Sequence, residues 1–278
     1  MQSIAEFAMR SRTHAIGTSL IAGVLPLLGW LSLVIVALVC LRQGVMAGSI
    51  ILLWTMLPFS VQTYMVGDPT LLSLIGIFIV AGLLRATISW EIALVFTVVY
   101  SVFAALIFEW LLLEKFMSIY SIYLDRLQLP EALTATELER VVSNSVMILV
   151  AYGVIAMLLL ARWCQSALYN PGGFRKEFHH IRLSPAAGGI LLVALIVCYS
   201  LDELFGRWLP VLTVPLVIVA LGLVHWLMAA RQLSRRWVVG FYMTVLLFGQ
   251  FAYPFLISLG LIDSAVNLRN RLQPIQKD

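Results

Sequence analysis

The apolar positions of this chain come in long unbroken runs rather than in alternation. Eight stretches carry few or no charges: 16–41, 43–67, 69–84, 92–108, 141–161, 183–201, 208–230 and 237–262. These runs are apolar on every face of a helix, and about 20 such residues match the hydrocarbon thickness of a bilayer. Strands of a membrane barrel would instead alternate apolar and polar positions over about ten residues. The pattern therefore predicts an all-α, polytopic transmembrane helical bundle of about eight apolar runs. Two runs carry interruptions, the first at Pro26 and Gly29 and the last at Gln250 and Pro254. Each of these two can fold back on itself.

Between the fourth and fifth runs the pattern changes. "KFMSIYSIYLDRLQLPEALTATELER" is too charged to span, but Phe116, Tyr120, Tyr123 and Leu127 recur at helical spacing. An amphipathic helix lying in the membrane interface is predicted there. Pro130 ends it, and Thr134 with Glu137, or Thr136 with Glu139, offers a capping box for the next helix. The chain so divides into N-terminal membrane helices (1–114), an extramembrane amphipathic segment (115–140) and C-terminal membrane helices (141–278). The last block includes a cytoplasmic loop, 164–186, and a polar tail. Five of the eight tryptophans lie near run ends, at headgroup depth.

Composition sharpens the class. Hydrophobic residues make up 62% of the chain and charged residues 12%, half the fraction usual in a soluble domain. The net charge of +4 belongs to loops and is no nucleic-acid signal. Cys40, Cys164 and Cys198 are too widely spaced for a disulfide framework or a metal knuckle. The N-terminal apolar run is too long for a signal-peptide core, so no cleavage is expected. If every run crossed once, the 18 basic residues would fall nine to each side. If the first and last runs fold back, both tails move to the cytoplasm and the division becomes fourteen inside against four outside. The positive-inside rule selects the second arrangement.

Candidate chemistry lies where polar residues interrupt the apolar pattern. "NPGGFRKEFHHIRLSP" lacks the Lys-Ser/Thr of a phosphate loop and the ligand spacing of a zinc site. Its Phe174, Phe178 and Ile181 can line one face of a short helix, with Arg175, Lys176 and Arg182 towards the other. That helix either fixes topology at the interface or docks a partner. Ionisable residues within or beside spans are costly unless paired. They give ligand-binding candidates at Asp68, Arg85, Glu91, Asp202, Glu203 and His225, or else ordinary ion pairs and helix contacts. Asp68, in the turn "YMVGDP", can line the mouth of an external pocket. Ser11, Ala15, Ser19 and Gly23 form a ridge of small residues, for packing inside the bundle or as a seam for another subunit. Asp263 and Asn267 can share a helix face, with Arg269 and Arg271 beyond them at a cytoplasmic helix end, where cations suit the dipole. Asp263, Arg269 and Arg271 join the docking candidates. No nucleophile elbow, redox cysteine pair or metal motif is present, so neither an enzyme nor a cofactor is expected.

Several stretches carry a resemblance: "FAMRSRTHA", "GDPTLLSLIGIF" with "LLRATISW", "NPGGFRKEFHHIRLS" and the closing "LISLGLIDSAVNLRNRL". Over essentially its whole length the chain resembles the YybS-like family of bacterial integral membrane proteins. That resemblance implies a distant relation to the substrate-binding subunits of energy-coupling-factor vitamin transporters. Those are bundles of about six helices with cytoplasmic tails, which bind a small molecule from outside and dock on a membrane subunit. The expectation is an inner-membrane protein that binds or helps to move a small solute. The alternative is a non-catalytic scaffold that recruits a membrane or cytoplasmic protein through the 170–185 loop and the tail.

Overall fold

The computed structural model describes residues 1–25, 27–127 and 134–272, apart from the side chains of 123–127 and 135. Pro26 and Pro130 lie outside the described residues, as do the side chains of Tyr123 and Leu127. Among the described residues the protein is all-helical. The chain forms two compact units, Met1–Pro171 and Gly172–Asp278.

The first unit holds α1 (Gln2–Met9), α2 (Arg12–Val24), α3 (Gly29–Gln43), α4 (Val45–Val66), α5 (Thr70–Thr87), α6 (Trp90–Leu111), α7 (Leu113–Leu127) and α8 (Ala135–Tyr169). Run 16–41 is thus two helices, α2 and α3, which return alongside each other. At the centre is α3, buried without a break from Leu31 to Leu41 and packed against α2, α4, α5 and α8. A helix that is apolar all round belongs at such a centre. The small-residue ridge works inside this unit: Ala15, Ser19 and Gly23 are buried, and Ser11 caps α2. Ser19 also joins three helices through hydroxyls. Its carbonyl accepts from Ser32 Oγ at 2.7 Å, and its Oγ lies 2.9 Å from Thr55 Oγ1. Thr134 and Glu137 form the capping box of α8, the first of the two pairs that the sequence allows. On α7, Phe116 stacks on Tyr120 and meets Phe108 edge-on.

The second unit holds α9 (Gly173–His179), α10 (Pro185–Ser200), α11 (Asp202–Phe205), a 3₁₀ turn (Gly206–Trp208), α12 (Leu209–Ala230), α13 (Arg235–Leu247), α14 (Gly249–Val266) and α15 (Leu268–Arg271). Its core is the contact of α12 with α14, where Val217, Ala220 and Leu256 are buried. The two helices run the same way. Tyr253 meets Thr213 near their starts, and Gly260 lies on the Leu216 backbone further along.

Among the described residues, five helices are long and apolar enough to cross a membrane: α4, α5, α6, the Thr136–Tyr169 part of α8, and the stretch Asp202–Ala230. A sixth is reached if α13 and α14, bent by 116°, count as one. The eight apolar runs are therefore not eight straight spans. The first breaks into a hairpin, and the last bends at Phe248. The run at 183–201 yields a helix of only 16 residues, about 24 Å long. The final break falls just before Gln250, while Pro254 lies inside α14. Neighbouring helices let membrane helices tolerate such a proline.

Candidate binding pockets

The first unit contains a recess because its helices differ in length. Gln62 Nε2 donates to the Gly23 carbonyl at 2.8 Å, and Gly29 faces the Phe59 ring. The α2–α3 turn is thus level with residues 58–62 of α4, which continues to Val66. That leaves the turn about 6–12 Å short of the end of α4. The resulting cavity has a volume of about 590 Å³, within the range of ligand pockets.

Trp30, Leu33 and Phe59 give the recess an apolar wall; Gln62, Asp68, Thr70 and Ser73 give it polar groups. Asp68 is held in place by its own turn. Its Oδ1 accepts from the Thr70 N–H at 2.6 Å, and its carbonyl accepts from Thr63 Oγ1 at 2.8 Å. Oδ2 takes neither bond and remains an acceptor for a ligand. Of the side chains proposed from sequence, Asp68 alone is in this recess.

The other ligand-binding candidates are elsewhere. Arg85 is at the far end of α5, where its Nη1 donates to the Leu41 carbonyl and so caps α3. Glu91 is in the first turn of α6, where an acid suits the helix dipole. In the second unit, Asp202 and Glu203 are exposed on α11. His225 is near the opposite end of α12, with Nε2 2.9 Å from the Tyr242 hydroxyl and its ring against the edge of Phe178.

Most docking candidates turn inward in the second unit. Ile181 is buried, and Phe178 packs between Phe174 and His225. Arg182 donates to the carbonyls of Asp263 and Ser264 at 3.0 and 2.8 Å. Asp263 is fully buried and pairs with Arg269 at 2.7 Å. Arg269 also donates to the Ile181 carbonyl at 2.9 Å, and the Leu268 N–H donates to Asp263 Oδ1 at 3.1 Å. Asn267 adopts a left-handed conformation and turns the chain so that Arg269 comes back over Asp263. Asp263 and Asn267 therefore do not form a surface pair along one helix. Arg175, Lys176 and Arg271 remain exposed.

No family model, curated protein or solved structure matches this chain. What the pockets can bind is read from their own side chains. Among the described residues, no group of three His, Cys, Asp or Glu side chains is placed to hold a metal ion.

Sequence reasoning missed Gln62, Thr70, Ser73 and Trp30 in the first unit and Tyr242 and Arg235 in the second. Asp68 flagged its turn, but uncharged residues inside an apolar run give no signal until the helices are packed. His179 belongs to the 170–185 stretch, whose spacing does not fit a zinc site. In the structure, burial and then the nearby positive charge of Arg175 push its pKa down to about 4. The sign follows from linkage: below its ordinary value of 6.5, the unfolded chain gains a proton that the folded chain refuses. The stability contributed by neutral His179 is lost as pH falls from about 6.5 towards about 4. Amide hydrogen exchange in α9, corrected for intrinsic rates, should therefore speed up between about pH 7 and about pH 5. His179→Gln should remove that difference.

Proposed function

We propose that this chain is a non-catalytic, multi-pass protein of the bacterial inner membrane that binds a small polar solute in the recess of its first unit. The observation that carries this reading is the convergence of Gln62, Asp68, Thr70 and Ser73 on one cavity with an aromatic wall. A few placed polar groups in a largely apolar concavity are what fix a small ligand.

Charge supports placing the recess on the outer face. In the first unit, Arg42, lying over Tyr169, and Arg85, bonded to Leu41, share one end with Arg162, which bonds Gln165. Lys115, over Tyr64, is at the other end, with the recess. In the second unit, Arg175, Arg182, Arg235 and Arg269 gather at the α9 end, and Arg207 lies beyond the start of α12. By the positive-inside rule the cationic ends face the cytoplasm. Six crossings then suffice: α4, α5, α6, α8, the short α10 and α12. The α2–α3 hairpin and the bent α13–α14 pair re-enter, and both tails are cytoplasmic. The resemblance to the YybS-like family, with its distant relation to vitamin-binding subunits, points the same way at the level of fold analogy. The scaffold reading is less supported, because Phe178, Arg182, Asp263 and Arg269 are engaged within their own unit.

Gly153 of α8 lines the recess, and a Cβ added there would meet nothing within 4 Å. Gly153→Phe should fill the cavity without disturbing the core. Native mass spectrometry of gently purified protein should show a small-molecule adduct on the wild type, and this variant should retain at least about tenfold less at unchanged thermal stability. Equal adducts on both proteins, or none on the wild type, would reject the recess as a solute site. Reporter tags on the two tails should both read as cytoplasmic.

A further inference from the structure

The second unit has its own cavity of about 470 Å³, independent of the recess, and its chemistry is the opposite. Arg175 of α9 and Arg235 at the start of α13 both line it, together with His179, His225 and Tyr242. No aspartate or glutamate does. Neither arginine has a carboxylate partner among the described residues.

Both arginines are exposed, so the cavity carries two positive charges with no carboxylate in its lining to balance them. The start of α13 adds to the imbalance. Its first turn carries Arg235 and no acid, and its Ser234 cap makes no side-chain hydrogen bond. The positive end of the helix dipole adds to the positive charge at that end of α13. The remainder of the wall is apolar. Phe174 stacks on Phe178 at 5.8 Å, and Met228, Leu233 and Val238 complete it. The His225–Tyr242 pair adds a fixed polar group to the lining.

We propose that this cavity binds a phosphate ester, with the phosphate held between Arg175 and Arg235 and its organic part against Phe174 and Phe178. Forked guanidinium donors fit a phosphate group better than point charges do. An anion there balances their charge, and the volume of about 470 Å³ leaves room for more than the phosphate itself. The same chemistry is offered by the headgroup of an anionic phospholipid and by a soluble phosphomonoester.

The full-length protein is placed in phosphatidylcholine nanodiscs, with or without phosphatidylglycerol. Lipid retention is counted by native mass spectrometry, and glycerol 3-phosphate is titrated calorimetrically into the phosphatidylcholine sample. Phosphatidylglycerol retention identifies a lipid headgroup, and glycerol 3-phosphate binding identifies a soluble ester; either supports the proposal. The Arg175→Gln/Arg235→Gln double variant should weaken the supported interaction by at least about tenfold, the loss expected for charge-assisted hydrogen bonds. Arg236→Gln, one residue along and outside the cavity, should leave it within about twofold. Ala229→Phe, which blocks the cavity without changing charge, gives a second test should the double variant fold poorly. The proposal is overturned if neither probe binds the wild type, or if the Arg236 variant loses as much as the double variant, or if blocking the cavity changes nothing.

Discussion

Asp263→Ala should destabilise the second unit by about 3–5 kcal/mol, because it strands the guanidinium of Arg269 in the interior. Asp263 is fully buried and Arg269 is 7% exposed, so water cannot replace the lost partner. The backbone N–H of Leu268 loses its acceptor as well. Arg269→Lys should also weaken the unit. A single ammonium cannot reproduce the fork that reaches both Asp263 and the Ile181 carbonyl. By contrast, Asp263→Leu with Arg269→Met should recover part of the loss, since apolar pairs of similar volume often replace buried ion pairs without penalty. Unfolding in detergent, followed by tryptophan fluorescence, measures all three. An Asp263→Ala protein as stable as the wild type would show that the pair does not hold α14, α15 and the 180–184 segment together.

Gly260→Ala should cost as much or more, although it adds one methyl group. A Cβ at Gly260 would overlap the Leu216 carbonyl oxygen and stand 2.9 and 3.0 Å from the carbon and Cα of the same residue. These are backbone atoms that no rotamer change can move. The α12–α14 crossing must open, which places the penalty at or beyond the top of the about 1–3 kcal/mol usual for overpacking. Gly240→Ala on α13 is the control. Nothing lies within 4 Å of its added Cβ, so it should gain about 0.5–1 kcal/mol from helix propensity. The same detergent unfolding compares the two, and equal stabilities would show that the two helices do not depend on contact at Gly260.

The helices were legible in the sequence because each apolar run is a local property. So was the start of α8, since Thr134 and Glu137 need only each other. The break in the first run could be read from Pro26 and Gly29, and Asp68 could be read as a turn residue. The position of the last break was less legible. Gln250 and Pro254 mark the interruption in the sequence, and the chain bends at Phe248, just before Gln250, while Pro254 sits inside α14. Neither cavity was legible, because each depends on which helices become neighbours. The recess exists because α2 and α3 are shorter than α4, a difference invisible to hydropathy. The cationic cavity depends on Arg175 and Arg235, sixty residues apart, meeting around His225. Asp263 was seen beside Asn267 along a helix, but the left-handed turn at Asn267 gives it to Arg269.

On the proposed reading, with the recess open to water at the outer face, the shortness of the α2–α3 hairpin has an electrical consequence. Such a recess would carry the bulk potential inwards as far as the turn, so the membrane voltage would fall mainly across the thinner remainder. A full crossing is worth about 2.3 kcal/mol per unit charge for every 100 mV. A charged solute reaching Asp68 would have done almost none of that work, and only passage beyond Leu33 and Phe59 would be driven or opposed by the field.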